Sequence, residues 1–439
     1  MTGTAGAALS ILVVTLIALF KGYEVRLVLL LAALALAALT QQVDKIGITF
    51  FQGLADATSI IPICCAMGFA FVLKAFECDK HLVEALSRPL LYAKWLVVPG
   101  TIVIGFVVNI TIISQTSTSL AVGTVLIPLL RSLGLQGVII GAALLLGASI
   151  GGELLNPGAP ELTAIAEKLK MQATALPGFI QEVIFVHLAI AIVVFLWFNR
   201  RELRRTESPP EADRVPINWL SAIVPIVPIA LLFLFGPPLK LFTWPEHWLL
   251  GKNEPASLYG PRLIGLSMLC GCLAACIAVP RKAGSVGRHF FEGAGYGYTH
   301  IISLIVIAKC FSEGIKLSGI ADVIGHLANF FPILLLPLAV LLPAFLAFLS
   351  GSGIGATQGL YPLLADVAIK QGVDPIHVGV LACIGAAAGR TMSIVAAVTI
   401  MCSQLTDSKP VQLSRRVALP LCAGLLALIG IMMIRYATK

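Results

Sequence analysis

The chain has 439 residues, of which 58% are hydrophobic and only 12% are charged, and its mean hydropathy is +0.96. This composition excludes a soluble globular domain and predicts a protein that crosses a lipid bilayer several times. The net charge of +8 does not indicate nucleic-acid binding, because the basic residues are spread over loops between apolar stretches.

A spanning helix needs roughly 20 mostly apolar residues, and about ten such stretches follow one another along the chain. They lie near residues 4–20, 27–41, 54–73, 137–157, 176–198, 217–236, 258–279, 298–311, 376–402 and 417–434. The basic loops between them are expected on the cytoplasmic side, at 199–214, 281–288 and 408–416. The ten cysteines show no metal-ligand spacing, so we expect no cofactor, with Na⁺ as the one alternative left open.

Two polar interruptions lie inside further apolar segments. The sequence "NITIISQTSTSLAVG" runs from Asn109 to Gly123, and "SGSGIGATQG" runs from Ser350 to Gly359. A polar tip cannot face lipid, so it lies either at an aqueous surface or against an internal cavity. A surface tip would carry Lys, Asp, Glu or Pro, and neither tip does. This favours two re-entrant hairpins, at 89–133 and 331–370, over two pairs of full crossings.

An internal repeat strengthens this interpretation. "FFQGLADATSIIPI" begins at Phe50, and "FFEGAGYGYTHIIS" begins at Phe290. Each is followed by a hairpin and then by a glycine-interrupted helix, at 137–165 in the first half and at 376–402 in the second. Gly134 to Gly147 and Gly372 to Gly385 have the same spacing of 13 residues. The pattern therefore predicts one unit that occurs twice.

Each unit contains about five transmembrane helices and one re-entrant hairpin, and because five is odd the second copy must be inverted. The predicted fold is thus an all-α polytopic membrane protein made of an inverted repeat. Its first unit is 1–198, its second unit is 217–439, and a basic cytoplasmic linker at 199–216 joins them. Inverted repeats with broken helices are typical of secondary transporters, whose substrate lies near the midplane of the membrane.

The second half carries a resemblance to a known family. The stretch "SGSGIGATQGLYPLLADVAIKQGVDPIHVGVLACIGAAAGRTMSIVAAV", followed by "SKPVQLSRRVALPLCAG", resembles the DcuC-type anaerobic C4-dicarboxylate carriers, with a GSG tip, a Gly-Val-x-Pro helix start and a GRT-x-S segment in the same order. "FFEGAGYGYTHIIS" and "SLAVGTVLIPLLRSLGL" match as well, so that the resemblance covers roughly 50–435. The first broken segment, "GGELLNPGAPEL", departs from the more apolar family pattern. The resemblance implies an ion-transporter fold with a scaffold domain and a mobile transport domain.

The chemistry of such a site follows from its helix ends. Helix N-termini suit a carboxylate, whereas C-terminal carbonyls and hydroxyls suit Na⁺. The predicted substrate ligands are Ser114, Gln115, Thr116, Ser117, Thr118, Asn156, Ser350, Gly351, Ser352, Gly353, Arg390, Thr391 and Ser393. The predicted Na⁺ ligands are Ser117, Thr118, Ser119, Gly151, Ser352, Gly355 and Gly385, with helix breaks at Gly147–Asn156 and Gly385–Gly389. The alternative for each hydroxyl is a bond to a carbonyl of its own helix.

Charged residues inside predicted spans are costly, at roughly 2.5–3.5 kcal/mol for Arg at a helix centre, and therefore indicate function. Arg390 is favoured as a clamp for a substrate carboxylate, and the alternative is an internal salt bridge with Glu153. Glu153 and Glu161 are the candidate coupling carboxylates, although Glu161 also fits the far membrane face. His300 and His377 are expected at the interface or packed rather than in a proton relay.

The predicted function is secondary active transport of small organic anions, most specifically C4-dicarboxylates such as succinate, fumarate and malate. Alternating access of the elevator type is expected, coupled to Na⁺ or H⁺ or operating by exchange. A carrier for a monocarboxylate or an acidic amino acid is the alternative. An intramembrane enzyme would need a nucleophile with a base, or metal ligands at helical spacing such as the motif H-E-x-x-H, which is absent, and a channel would need an open pore.

The expected partners are the substrate anion, the lipid bilayer and a second copy in a homodimer, with no nucleic acid. The expected location is the inner, or cytoplasmic, membrane, which the chain would cross several times.

Overall fold

The computed structural model describes residues 2–21, 23–88, 96–203, 216–236, 240–251, 254–318 and 334–437. Helices and the turns between them make up this part of the chain, which contains no β-strand. Most of the predicted linker 199–216 lies outside the described residues, as do the first residues of both predicted hairpins, 89–95 and 331–333.

The first half of the chain begins with six helices that precede the first polar tip and continues with five more. They are α1 (Thr2–Phe20), α2 (Val25–Ala38), α3 (Val43–Leu54), α4 (Ala57–Phe76), α5 (Cys78–Ser87), α6 (Val97–Thr111), α7 (Gln115–Ser132), α8 (Gly137–Ser149), α9 (Pro160–Leu169), α10 (Leu176–Phe198) and α11 (Arg200–Leu203). A short 3₁₀ turn at Gly152–Leu155 lies between α8 and α9.

The second half contains the remaining described helices. They are α12 (Trp219–Ile223), α13 (Val227–Phe235), α14 (Glu246–Leu249), α15 (Tyr259–Ala278), α16 (Val286–Gly297), α17 (Ser303–Leu317), α18 (Leu335–Ser350), α19 (Gly353–Lys370), α20 (Pro375–Met392), α21 (Ala397–Leu405) and α22 (Pro410–Ala437). A π-helical turn at Tyr298–Ile302 joins α16 to α17.

Six helical segments of the described chain are long and apolar enough to span a membrane: Ala57–Phe76, Gly137–Leu169, Ala173–Phe198, Ala256–Ala278, Pro375–Met392 and Pro410–Arg435. Five shorter apolar helical segments accompany them: Gly6–Thr15, Val25–Ala38, Val97–Thr111, Trp219–Phe235 and Leu335–Ser350. The all-helical membrane architecture predicted from composition is thus confirmed.

The same order of elements occurs in both halves around the polar tips. A helix, a tip, a second helix, a glycine turn, a third helix, a break and a fourth helix follow one another as α6 to α9 and again as α18 to α21. The glycine turns are Gly134, with a φ of 73°, and Gly372, with a φ of 69°. Only glycine enters this left-handed region without strain, which explains why both halves place it there.

Glycines also allow the helices that precede the breaks, α8 and α20, to pack closely on the helices that precede the tips, α6 and α18. A Cβ on Gly147 of α8 would lie 2.7 Å from the carbonyl oxygen of Ile102 in α6. On α20, a Cβ on Gly385 would lie 2.3 Å from the carbonyl oxygen of Val340. A Cβ on Gly389 would lie even closer to the carbonyl oxygen of Ala344. The repeated glycines of the sequence therefore hold backbone against backbone in both halves.

The remaining helices form the other side of the molecule. α4 packs against α15 and α16, and α17 packs against α2 and α3. This side meets the tip-bearing helices where α17 packs on α19 and where α4 packs on α9. The candidate site lies at this junction.

A candidate site between two helix tips

Both polar tips begin a helix with a serine N-cap. The hydroxyl oxygen of Ser114 accepts a hydrogen bond from the backbone N–H of Ser117 at 3.3 Å, and that of Ser352 accepts from the N–H of Gly355 at 3.1 Å. Each cap satisfies a backbone donor at the start of a helix, which is why the sequence places Ser at these two positions. The first residues of α7 and α19 are thus fixed in the interior of the protein.

The first tip is held by side chains that cap the end of α6. The carbonyl oxygen of Ile112 accepts from Asn109 Nδ2 at 3.1 Å and from Thr118 Oγ1 at 2.9 Å, and that of Ile110 accepts from Asn156 Nδ2 at 2.8 Å. Asn109, Thr118 and Asn156 are fully buried. Thr118 and Asn156, predicted as ligands, therefore hold the tip in this conformation of the protein.

The second tip lies against the second helix break. Ser350 donates to the carbonyl of Leu346 at 2.8 Å, and Gly351 has a φ of 71°. A Cβ on Gly351 would lie 3.0 Å from Ala396, so the backbones touch here. A Cβ on Gly353 would lie 3.1 Å from Arg390 Nη1. The absent side chains of these two glycines let the tip approach both the break and Arg390.

The two helix breaks differ in form. After α8, Gly151 takes a φ of 121° and the 3₁₀ turn Gly152–Leu155 follows before α9 begins at Pro160. The second break spans 393–396, between α20 and α21. The break predicted at Gly385–Gly389 is wrong, because α20 continues through both glycines as a regular helix and uses them to pack on α18.

Arg390 forms the centre of a buried ion cluster. Its Nη2 lies 2.5 Å from Glu153 Oε1, and its Nη1 lies 3.1 Å from Glu161 Oε1. Its Nη2 also donates to the carbonyl of Ser149 at 3.0 Å, and the same carbonyl accepts from Thr391 Oγ1 at 2.7 Å. The salt bridge considered as the alternative for Arg390 is thus present, and Glu161 is a second partner rather than a residue of the far membrane face.

This cluster is incompletely satisfied. Two carboxylates share one guanidinium, and neither Glu153 Oε2 nor Glu161 Oε2 has a hydrogen-bond partner within the described part of the structure. The side chains of Glu153, Glu161 and Arg390 are between 0% and 6% exposed. A buried acceptor without a donor is costly, so these two oxygens can take up a proton or another cation.

A cavity of about 170 Å³ opens beside the cluster. The first tip contributes Ser114, Gln115 and Thr116 to its wall, and the second tip contributes Gly351 and Ile354. The remaining wall consists of Met67, Ile113, Pro160, Glu161, Tyr296, His300, Ile301, Arg390, Ala396, Ala397 and Val398. Both tips, Glu161 and Arg390 therefore line one cavity.

Several predicted ligands lie behind this wall instead of on it. Ser119 donates to the carbonyl of Thr116 at 2.9 Å, and the hydroxyl of Ser393 accepts from the N–H of Val395 at 3.3 Å. Gly355, Gly385 and Thr391 belong to regular helix, and Gly151 lies against Ile184. Their predicted roles as ligands remain predictions.

Two residues of the wall were not expected there. Tyr296 of α16 and His300 of the π turn stack with ring centroids 4.1 Å apart and an interplanar angle of 17°. The sequence predicts His300 at the interface or packed, and the structure places its exposed side chain in the cavity wall. The adjacent run "GAGYGYTH" was the available signal, since glycines in a helix often accompany irregular backbone.

A second ion cluster lies where α4, α9 and α17 meet. Lys309 Nζ lies 2.6 Å from Asp56 Oδ2 and 2.9 Å from Glu167 Oε2. Ser59 donates to Glu167 Oε1 at 2.6 Å. Asp56 and Glu167 also line a larger cavity, of about 680 Å³, whose wall includes Thr163 of α9. This cluster was not anticipated from the sequence.

The comparison with known families identifies the chain's relatives. A family model described as the C4-dicarboxylate anaerobic carrier DcuC matches residues 37–437. The chain belongs to this carrier family. The family resemblance inferred from the sequence motifs is thereby confirmed, and membership of a carrier family points to a transporter rather than an enzyme.

Two transporters named DcuC align with most of the chain, and a shorter transporter aligns with part of it. The anaerobic C4-dicarboxylate transporter DcuC of Escherichia coli K12 is 22% identical over 412 residues, which cover 89% of this chain and 83% of that protein. A probable DcuC of Vibrio cholerae is 21% identical over 377 residues, covering 82% and 78%. A putative uncharacterized transporter of Haemophilus influenzae is 36% identical over 125 residues, which are 28% of this chain and 86% of that protein.

Solved structures show the same fold. The YdaH transporter of Alcanivorax borkumensis has a TM-score of 0.63 and 14% identity, over 91% of this chain and 89% of that one. MtrF of Neisseria gonorrhoeae, described as illustrating a class of antimetabolite efflux pumps, has a TM-score of 0.57 and 16% identity, over 90% and 84%. At these identities the likeness concerns the fold alone.

Proposed function

We propose that this DcuC-family protein is a secondary transporter of C4-dicarboxylates such as succinate, fumarate and malate, and that the cavity between the tips binds them. The observation that carries the proposal is the guanidinium of Arg390 in the cavity wall, between two helix tips. A planar guanidinium matches a carboxylate with two parallel hydrogen bonds, and helix N-termini favour an anion. The names of the relatives point to the same substrate class.

Exchange of partners at Arg390 supplies a mechanism for substrate binding. The contact of Nη1 with Glu161 is longer than that of Nη2 with Glu153, and Glu161 lines the cavity. A substrate carboxylate would therefore take the place of Glu161 on Nη1. Released from its cation in a buried site, Glu161 would take up a proton, because an unpaired carboxylate is costly there. Substrate and proton would then bind together.

Proton coupling is favoured over Na⁺ coupling by the two carboxylate oxygens of the Arg390 cluster that have no hydrogen-bond donor among the described residues. A buried carboxylate oxygen without a donor is stabilised when it takes up a proton. Thr118 and Ser119 donate to backbone carbonyls of their own tip, but their oxygens keep the lone pairs that Na⁺ would use. Na⁺ coupling through the ligands predicted from the sequence is the alternative, and replacing Na⁺ with another cation tests it.

The architecture proposed for transport is the inverted repeat with two re-entrant hairpins, α6–α7 and α18–α19. It is supported by the repeated order of elements and by the two serine-capped tips that meet at one cavity. In an elevator mechanism, these hairpins and the broken helices would move together against α4, α16 and α17. A homodimer in the inner membrane is proposed as the working form.

The test is transport by the purified protein in liposomes. Labelled succinate should accumulate against its gradient when the liposomes hold a pH gradient, and unlabelled internal succinate should accelerate entry by counterflow. Replacing Na⁺ with choline should change nothing. A strict requirement for Na⁺ would contradict proton coupling. Transport of a monocarboxylate or an acidic amino acid in place of succinate would contradict the substrate class, and absence of counterflow would contradict a carrier.

A further inference from the structure

The cavity wall that includes Arg390 and Glu161 also contains a stacked pair of rings. Tyr296 lies between Phe71 of α4, at a centroid distance of 5.6 Å, and His300, at 4.1 Å. His300 belongs to the π-helical turn Tyr298–Ile302, in which the N–H of Ser303 reaches back to the carbonyl of Tyr298. Single π turns are rare in proteins and frequently occur at functional sites.

The hydrogen bond of His300 fixes which ring nitrogen carries a proton. Nδ1 lies 3.1 Å from the carbonyl oxygen of Tyr296. A carbonyl oxygen can only accept, so Nδ1 must carry the hydrogen. In a neutral ring Nε2 is then an acceptor without a hydrogen, and it can hold a carboxylate only if one proton is added. His300 is therefore prepared to bind an anion together with a proton.

The charges around His300 come from three other helices. Arg26 of α2 donates to the carbonyl of His300 at 3.4 Å, which fixes the backbone of the π turn. Glu161 of α9 and Arg390 of α20 share the cavity wall with His300. α4 contributes apolar Met67 and Phe71, and the first tip contributes uncharged Ser114, Gln115 and Thr116. His300 itself, Tyr296, Glu161 and Arg390 are the ionisable residues of the described wall.

This set of charges leaves a dianion short of positive partners. Arg390 already faces two carboxylates, so the cluster carries a net negative charge when both are ionised. One end of a C4-dicarboxylate can take over Nη1 of Arg390, as proposed above, but its second carboxylate needs another partner, because the rest of the described wall is uncharged. Among the described wall residues, His300 is the remaining group that can become a cation and reach an anion.

We propose that His300 binds the second carboxylate of the substrate and shares one proton with it through Nε2. This inference rests on the proposed function and deepens it, because it makes His300 the residue that separates dicarboxylates from compounds with one carboxylate. Tyr296 orients the His300 ring in two ways: its own ring stacks on it, and its backbone carbonyl oxygen accepts a hydrogen bond from Nδ1.

The experiment compares succinate with succinamate, in which an uncharged amide replaces one carboxylate, as ligands of the purified protein. His300→Leu should weaken succinate binding about tenfold and change succinamate binding less than twofold. His300→Gln keeps a hydrogen-bond donor near the position of Nε2 and should restore succinate binding to within about threefold of the wild type. The matched control is His377→Leu, because His377 is 42% exposed, lies 3.0 Å from Asp374 and is outside the cavity wall. It should change neither ligand.

Proton counting separates His300 from Glu161. At pH 8, where an ordinary imidazole is neutral, the wild type should take up about one more proton per bound succinate than His300→Gln does. Equal loss of succinate and succinamate binding in a folded His300→Leu protein, or unchanged binding of both, would overturn the role of His300 while leaving the proposed function intact. A wild-type protein that binds neither ligand would overturn the proposed function as well.

Discussion

Two clusters in this protein place two carboxylates around one cation, and they differ in what happens to the other oxygens. Around Lys309, each of the four carboxylate oxygens has a donor: Thr58 donates to Asp56, Ser59 donates to Glu167, and the ammonium reaches the other oxygen of both acids. Around Arg390, one oxygen of each glutamate has no donor among the described residues. The number of charges is the same, but only the Arg390 cluster keeps open acceptors.

Exposure separates the clusters further. The side chains of the Lys309 cluster are 22–28% exposed, whereas those of the Arg390 cluster are 0–6% exposed. A satisfied and partly hydrated cluster has little to gain from a new partner, while a dry and unsatisfied one gains from a proton or a substrate. We therefore expect the Lys309 cluster to fasten α4 and α17 to α9, and the Arg390 cluster to respond to ligands.

The largest effect is expected from Arg390→Gln. Two buried carboxylates would lose their common cation, which typically costs about 3–5 kcal/mol of folding stability. Arg390→Lys keeps a charge but loses the planar fork, so the protein should fold while succinate affinity falls by about 2–3 kcal/mol. Melting temperature and succinate titration measure the two effects. Intact binding in both variants would show that Arg390 does not contact the substrate.

Lys309→Met should have a smaller effect, limited to stability. Its two acids keep the hydroxyl donors Thr58 and Ser59 and some water, so the expected loss is about 1–2 kcal/mol. The dissociation constant for succinate should stay within about twofold. A tenfold weaker succinate affinity in a folded Lys309→Met protein would mean that the Lys309 cluster also senses the ligand.

Glu161→Gln and Glu153→Gln form a matched pair within the Arg390 cluster. Either variant leaves Arg390 with one acid, so each should shift stability by about 1 kcal/mol or less. Glu153 is fully buried and its N–H is bonded to Asn109 Oδ1, while Glu161 lines the cavity. Transport by Glu161→Gln should therefore depend less steeply on the pH gradient, because only the proton taken up at His300 remains, and transport by Glu153→Gln should keep the full dependence. The reverse result would exchange their roles.

A third buried acid, Asp79 of the amphipathic helix α5, forms no ion pair within the described part of the chain and gives the smallest effect. Burial raises the pKa of Asp79 to about 6, from an ordinary 3.8. The folded state then binds the proton more tightly than the unfolded state, so stability falls as pH rises from about 4 to about 6. Asp79→Asn should remove this fall and stabilise the protein at pH 7.5 by about 1 kcal/mol, if half of the shift is realised. Thermal unfolding between pH 4 and pH 8 measures it.

The membrane architecture could be predicted because it depends on composition along the chain. An apolar stretch such as 176–198 inserts into the bilayer, where no water can bond to the backbone. An α-helix forms there because it satisfies the backbone N–H and C=O groups with hydrogen bonds within the segment. The tips could be found for a related reason, because polar runs that contain Ser114 and Ser352 interrupt apolar segments. The structure shows that these two serines cap helices. The break near Gly385–Gly389 was placed wrongly because glycine signals both a broken helix and a close helix contact, and the sequence does not distinguish them.

The sequence by itself determined that the chain is helical and membrane-embedded, that two polar, serine-containing tips interrupt it, and that Arg390, Glu153 and Glu161 are too costly to be incidental. Those features depend on transfer free energies and on local backbone groups, which are properties of short segments. Tertiary structure alone decided that both glutamates share Arg390, that Thr118 and Asn156 cap the first tip, and that His300 lines the same cavity. The contacts of Arg390 with the two glutamates join residues up to 237 positions apart, and they depend on how helices pack, which no local pattern specifies.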